Sequence, residues 1–309
     1  MLDSFYTVGS QVFILFILIA LGFLGCKKGI IKKEGVGTIT DIMLYLVTPC
    51  VIINSFQKDY NASLLKGLVT AFLSAIMTHV IAIVLSKIFI RSKEDDKRVI
   101  FRFGVVFSNC GFMALPLLEA LLGGEGVFYG AAYVAVFNVC VWTYGIFLMD
   151  RDCKKISFKK AFLNPGVLPV IVGLIFFFTG IKLPEIVLSP MKYLAALNTP
   201  VPMLIIGYNI AGLNISKALK DVDEYKMLLL RLIVTPLITF GILYAIGIRG
   251  NLLVSCVVSA SAPVAATGTM FSVKYKRDAV LSAETVAIST LLSVLTMTLV
   301  VGIAYTVAF

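Results

Sequence analysis

Residues 107–118, FSNCGFMALPLL, decide the fold, because they place helix-breaking residues inside an apolar segment long enough to cross a bilayer. Pro116 removes a backbone donor and disfavours helical backbone at Leu115. Gly111 adds backbone freedom, and hydrocarbon would solvate the amide of Asn109 poorly. For one such stretch alone, an ordinary span with a proline kink is the favoured explanation. The whole combination is more typical of a helix broken at mid-membrane beside a polar cavity.

A second stretch repeats the combination. Residues 259–269, SASAPVAATGT, again place a proline among small polar residues within an apolar segment. Pro116 and Pro263 are separated by about half of the 309-residue chain, and so are Pro49 and Pro200. Two interrupted segments at corresponding places in two halves predict the binding site of a secondary transporter.

The composition indicates an all-α membrane protein. Hydrophobic residues make up 59% of the chain and charged residues 14%, whereas a soluble domain carries about 25% charged residues. The apolar runs have helix length, unlike the short alternating strands of a membrane barrel. The six cysteines show no metal-binding or disulfide spacing, so we expect no metal and no other cofactor.

Ten transmembrane helices are predicted, in two sets of five. The predicted spans are residues 6–26, 36–56, 64–90, 99–122, 127–149, 165–181, 193–213, 227–248, 252–273 and 279–307. Residues 1–149 form the first repeat, residues 150–164 a basic cytoplasmic linker and residues 165–309 the second repeat. Because five is odd, the two halves run antiparallel, which makes an inverted repeat.

The basic residues predict the orientation. Most of the 27 Lys and Arg residues, Arg231 among them, fall beside the same end of the predicted spans. The exceptions are Lys58, Lys66, Lys182, Lys192 and Arg249. The positive-inside rule places the larger group in the cytoplasm and both termini outside a cell membrane that the chain crosses many times. The net charge of +10 therefore reflects topology, and we expect no nucleic-acid partner.

Neutral polar residues are the stronger candidates for chemistry, since acids are nearly absent from mid-span positions. Asn109 and Asn138 stand out because a buried amide needs partners. His79 and Glu284 are candidate ion-coupling residues. Each of these two, taken singly, is more often a packing or capping residue than a proton site.

The breaks favour an anionic ligand. Pro116 and Pro263 are predicted in the first turn of a second half-helix, where a proline loses no hydrogen bond. Each half-helix then points free N–H groups and a positive dipole end at the midplane. Two such ends form an anion site, suited to a small carboxylate, without any Lys or Arg. A metal cation would prefer acidic or carbonyl ligands.

Three stretches resemble the auxin efflux carrier family, which includes the plant PIN carriers and bacterial relatives. They are FSNCGFMALPLLEALLG, SASAPVAATGTMFSVKYKRD and DIMLYLVTPCVIINSF. The resemblance implies the fold of bile-acid symporters and sodium/proton antiporters, with two inverted five-helix repeats and crossing, broken spans 4 and 9. It also implies a scaffold of spans 1, 2, 6 and 7, through which a homodimer could form, and a transport domain of spans 3, 4, 5, 8, 9 and 10. Ala114 stands where the family often has Gly.

The combined prediction is an efflux carrier for small organic anions, such as auxin-like compounds or dicarboxylates, with an elevator-type alternating access mechanism. A sodium-coupled symporter of the bile-acid type and a channel or membrane sensor on the same fold are the alternatives. A membrane enzyme is not expected, because no acidic dyad, Ser/His pair or metal cluster lies at membrane depth. The expected substrate-binding residues are Ser108, Asn109, Gly111, Pro116, Asn138, Ser261, Pro263 and Thr267.

Overall fold

The structure is a computed structural model that describes residues 2–151, 166–212 and 222–309. Within these ranges the regular elements are helices, joined by one isolated antiparallel β-bridge between Ser108 and Val264. Most of the predicted linker, including Cys153, lies outside the described residues. The prediction of an all-α protein is confirmed for the part of the chain that the structure describes.

The helices are these, in chain order. They are α1 (Leu2–Lys27), α2 (Lys33–Ile42), α3 (Thr48–Ser55), α4 (Ala62–Phe89), α5 (Asp95–Val106), α6 (Leu115–Cys140), α7 (Ile146–Met149), α8 (Leu168–Thr179), α9 (Glu185–Ala196), α10 (Pro200–Ala211), α11 (Val222–Leu229), α12 (Thr235–Ala245), α13 (Gly250–Ser261), α14 (Thr267–Lys274) and α15 (Ala279–Ala308). Short π-helical turns connect α2 to α3, α6 to α7, and α11 to α12, and another leads into α6.

Seven helical segments of the described chain are long and apolar enough to cross a membrane. They are Phe5–Lys27, Glu34–Ser55, Ala62–Phe89, Cys110–Met149, Glu185–Ala211, Val222–Ala245 and Ala279–Ala308. Two shorter apolar helices, α8 and α13, accompany them. The segment Cys110–Met149 is divided at Gly123, whose backbone has φ 60° and ψ −156°. The predicted span 193–213 begins too late, because α9 already starts at Glu185. The helix is then interrupted between α9 and α10.

Proline placement explains three of the π-turns. The turns Met43–Val47, Cys110–Ala114 and Leu230–Val234 each end two residues before a proline. A proline inside a helix lacks the N–H that would bond the carbonyl four residues earlier, and its ring clashes with that carbonyl. In all three cases that carbonyl lies inside the π-turn, where the wider backbone moves it away from the ring.

The two predicted breaks are real, but the two prolines do different things. Pro116 lies in the first turn of α6, as predicted, after a π-turn. The prediction is wrong for Pro263, which lies in an extended segment four residues before α14 begins. A residue that precedes proline favours extended backbone. Ala262 has φ −59° and ψ 147°, so the chain is already extended where Pro263 follows.

Helices α1 and α10 approach each other at backbone distance. A Cβ atom added at Gly207 would lie 2.0 Å from the carbonyl oxygen of Ile19, and one at Gly22 would lie 2.3 Å from that of Leu204. The glycines therefore let two membrane helices pack without side chains between them. Helix α3 packs against α8 and α9. Helices α4, α6, α13 and α15 pack around the two extended segments that interrupt the helices after Val106 and Ser261.

Arg277 joins three parts of the chain at one end of the helix bundle. Its Nη1 atom contacts Asp95 Oδ2 at 2.5 Å and Asp96 Oδ1 at 2.7 Å. Its Nε donates to the carbonyl of Met149 at 2.8 Å. The Arg277 hydrogen bond holds the pKa of the Asp96 carboxyl below its usual range. This network connects the loop before α15 to the start of α5 and the end of α7.

Candidate functional site

The two extended segments cross and bond each other. The N–H of Asn109 donates to the carbonyl of Pro263 at 2.7 Å, and the N–H of Ala265 donates to the carbonyl of Phe107 at 2.9 Å. Ser108 and Val264 form the β-bridge between these two bonds. The backbone groups that the two helices release at their breaks are thus satisfied by one another, as the interior of a membrane protein requires.

Ser289 of α15 supports the crossing from the side. Its hydroxyl oxygen accepts a hydrogen bond from the N–H of Val264 at 3.1 Å and donates to the carbonyl of Val286. Ser289 is not among the predicted site residues. A signal was nevertheless present, because buried polar residues recur on one face of this apolar helix. They are Ser282, Thr285, Ser289 and Ser293.

Arg231 lies at the crossing, although the positive-inside rule predicted it among the basic residues at the cytoplasmic ends of the spans. That assignment is wrong, since Arg231 has no exposed surface. Its Nη1 donates to the carbonyls of Val105 at 3.1 Å and Val106 at 3.4 Å, and its Nη2 donates to the carbonyl of Ala260. The sequence did carry a signal for this position, because a single arginine inside the apolar run MLLLRLIVTPL indicates a charge that faces the interior of the helix bundle.

At the N-terminal ends of the helices that follow the two interruptions, several side-chain donors have no hydrogen-bond partner among the described residues. Asn109 is 5% exposed, and its Nδ2 has no hydrogen-bond partner among the described residues. The hydroxyls of Ser108 and Thr267 are likewise buried and unpartnered in that part of the chain. Thr267 opens α14, and Asn109 directly precedes the helical turn that leads into α6. These donors therefore lie where two helix N-termini begin.

Open space borders Gly111, in the first turn after the break. A Cβ atom added there would meet no described atom within 4 Å, and both Gly111 and the following Phe112 are only partly buried. By contrast, a Cβ atom at Gly130 of the same helical segment would lie 2.6 Å from Leu118 Cδ1. The structure is therefore open beside Gly111, two residues after the unpartnered amide of Asn109.

Two predicted site residues are satisfied within their own helices. The hydroxyl of Ser261 donates to the carbonyl of Val257 at 2.6 Å. The amide of Asn138 donates to the carbonyl of Val134 at 2.8 Å, and the side chain packs against Gly166. Across the crossing, Asn109 bonds Pro263 and Ser108 bridges Val264, whereas the contacts of Asn138 are with Val134 and Gly166.

The two candidate ion-coupling residues differ in position. His79 packs its ring against Phe107 of the crossing, with ring centroids 6.1 Å apart, and against Tyr133 at 5.3 Å. Its Nδ1 lies 2.7 Å from the carbonyl of Ala75, so Nδ1 carries the proton and donates it. Glu284 is buried near the start of α15. His79 is therefore a neighbour of the crossing.

A polar cleft of about 390 Å³ leads toward the first turn of α6. It lies between the end of α3, the start of α6 and the junction of α9 with α10, and Leu115 forms part of its wall. Lys58, Lys192 and Glu119 supply its charges. Lys192 is paired with Glu185 at 3.3 Å, so Lys58 and Glu119 remain as opposite charges in the lining.

We expect Gly111→Ala to fold normally and to bind ligand less well, because the added methyl group enters open space beside Asn109 without meeting protein. The melting temperature should change little, while the Kd of a bound carboxylate should rise. Gly130→Ala is the matched control, since its methyl group meets Leu118 and should lower the melting temperature instead. Unchanged Kd values in Gly111→Ala would place the ligand elsewhere.

Comparisons with known proteins agree with these features. A model of the family described as membrane transport protein matches residues 7–158 and 151–301. An uncharacterized transporter of Methanocaldococcus jannaschii is 25% identical over 93% of this chain and 96% of its own length. An uncharacterized transporter of Methanothermobacter thermautotrophicus is 22% identical over 92% of this chain and 94% of its own length.

Proposed function

The chain belongs to the membrane transport protein family, that of the auxin efflux carriers which its motifs resemble, and on that premise we propose that it is a secondary carrier of small organic anions. Carboxylates are the favoured class. One observation carries the proposal: the C-terminal ends at the crossing have a cationic partner in Arg231, whereas the N-terminal ends keep unused donors. The uncompensated charge of the crossing is then positive.

The chemistry of the open side fits a carboxylate. Helix N-termini bind anions through free N–H groups and a positive dipole end. The amide of Asn109 adds a neutral donor, and Ser108 and Thr267 add hydroxyls. A carboxylate has two oxygens with about four acceptor sites, so it can use several of these donors at once. A cationic ligand would find none of the carboxylates it needs among these residues.

The mechanism that we propose is elevator-type alternating access on ten spans in two inverted repeats. The close pair α1 and α10, together with α3, α8 and α9, would form the fixed scaffold. The helices around the crossing would move as a unit and carry the anion past it. The cleft beside Leu115 lies between these two groups and supplies an access path. Such motion keeps the site intact while exposing it to each side in turn.

The proposed orientation places both termini outside the cell. Its basis is the bias of Lys and Arg toward one side of the spans, which persists when the buried Arg231 is set aside. An impermeant thiol reagent applied to intact cells should label a cysteine introduced at residue 309 and should leave Cys153 unlabelled. Labelling of Cys153 under these conditions would reverse the orientation.

The function is tested with purified protein and pairs of ligands of similar shape, each a carboxylate and its neutral amide. Indole-3-acetate beside indole-3-acetamide, and succinate beside succinamide, are suitable pairs. We expect at least one carboxylate to raise the melting temperature by mass action while its amide does not. The same carboxylate should then exchange across liposome membranes with saturation and counterflow.

The alternatives predict other results. Flux that does not saturate and shows no counterflow would identify a channel. Ligand binding without any flux would favour a membrane sensor. Equal stabilisation by acid and amide would contradict the anion site.

A further inference from the structure

We propose that Arg231 is a built-in counter-cation, which takes the place that a coupling sodium ion holds in carriers with broken helices. Its consequence, sodium-independent transport, rests on the proposed function. The binding claim itself concerns only the protein and cations, so it is testable without a substrate. Arg231 acts as a positioning residue, because it contacts the broken backbone and not the anion.

The local chain geometry directs Arg231 inward. It lies in the π-turn Leu230–Val234, which Pro236 forces on the helix between α11 and α12. Such turns widen the backbone and reorient side chains, and they are frequent at functional sites. The guanidinium ends fully buried, at 0% exposure, in the core of the helix bundle. A charge at this depth needs compensation from its surroundings.

The compensation comes from two helix C-termini. The last carbonyls of an α-helix have no partner within the helix. Val105 and Val106 are the last residues of α5, and Ala260 is the penultimate residue of α13, and all three carbonyls accept hydrogen bonds from Arg231. Each helix C-terminus carries roughly half a negative charge, so two of them balance one guanidinium.

Among the described residues, the side chains that interact electrostatically with Arg231 are Tyr133, Cys110 and His79, and none of them is a carboxylate. The arrangement is therefore a cation held by backbone carbonyls, without an ion pair. In carriers with broken helices, unwound carbonyls and half-helix C-termini are the groups that coordinate sodium. Here the same kind of oxygen shell is filled by a side chain of the protein.

Removal of the guanidinium should open that shell to a free cation. We therefore expect the melting temperature of the wild-type protein to be the same in sodium chloride and in choline chloride at equal ionic strength. Arg231→Ala should melt at a lower temperature in choline chloride. Addition of about 50 mM guanidinium or sodium should raise the melting temperature of Arg231→Ala by at least about 3 °C, as expected for a ligand that binds only the folded state. Urea, which has the shape of guanidinium without its charge, should give no such rise.

Two further variants keep the test decisive. Arg231→Lys retains the charge but loses the fork that reaches both helices, so we expect an intermediate melting temperature and no response to sodium.

Arg102→Ala is the matched control, because Arg102 donates through Nε and Nη2 to one carbonyl only, that of Ile90. Its loss should lower stability without creating a sodium response.

Three results would overturn the proposal. The first is sodium-specific stabilisation of the wild-type protein. The second is a folded Arg231→Ala variant whose melting temperature ignores guanidinium and sodium alike. The third, which decides the matter if Arg231→Ala does not fold, is sodium stabilisation of Arg231→Lys. None of these measurements uses a carboxylate, so a failure of the carboxylate screen leaves them interpretable, and their failure leaves the proposed anion transport untouched.

Discussion

Asn109→Asp is expected to abolish anion binding. The substitution keeps the shape of the side chain and adds a negative charge where the unpartnered Nδ2 donor now lies. Two like charges about 4 Å apart repel each other by roughly 4 kcal/mol at an effective dielectric constant of about 20. Since 1.4 kcal/mol is a factor of ten, the Kd of a bound carboxylate should rise roughly 10³-fold at neutral pH and above.

Asn109→Ala separates the charge effect from the loss of the hydrogen bond. Loss of one buried hydrogen bond costs about 1–3 kcal/mol, which corresponds to a Kd higher by roughly 5- to 150-fold. The backbone bond from Asn109 to Pro263 is retained in both variants, so the crossing itself should stay closed. A lower melting temperature with little change in Kd would mean that the amide supports the backbone and not the ligand.

Asn61→Asp is the control for added charge. Asn61 caps α4 through a hydrogen bond from the N–H of Ser63 and is exposed, so an aspartate can replace it in the same role. Its ligand affinity should equal that of the wild-type protein. Wild-type affinity in Asn109→Asp as well, across a set of transported anions, would remove Asn109 from the binding site.

Gly207→Ala is expected to cause the second large effect, on folding. The new Cβ atom would lie 2.0 Å from the backbone oxygen of Ile19, and a backbone atom cannot move aside as a flexible side chain can. Helices α1 and α10 would have to separate along the contact that Gly22 and Gly207 create. Overpacking costs about 1–3 kcal/mol or more, so the melting temperature should fall by at least about 4 °C.

Gly241→Ala is the matched change at a helical glycine with open surroundings. A Cβ atom there meets no described atom within 4 Å, so the melting temperature should stay constant or rise slightly. Both variants are compared by thermal unfolding of the purified protein and by yield of monodisperse material. A Gly207→Ala variant as stable as the wild-type protein would show that α1 and α10 do not pack at this distance.

Much of the fold is predictable because the relevant physics is local. Apolar runs of helix length predict membrane helices, and the structure has seven such segments in its described part. Pro116, with Asn109 and Gly111 before it, predicts an interruption, and the helix does end at Val106. What failed locally was the position of Pro263: Ala262 before it is extended, whereas Leu115 before Pro116 is helical, although both residues precede a proline.

The sequence by itself determined that the chain consists of membrane helices, that two of them break, and which polar residues accompany the breaks. Only the tertiary structure decided which groups meet there. Arg231 contacts the carbonyls of Val105 and Ala260, and Ser289 contacts the N–H of Val264. The partners are 25 to 126 residues apart in the sequence. Hydropathy and helix propensity act over a few neighbouring residues. The partners of a buried charge are set by packing, because a released carbonyl accepts from whichever donor the fold brings within about 3 Å.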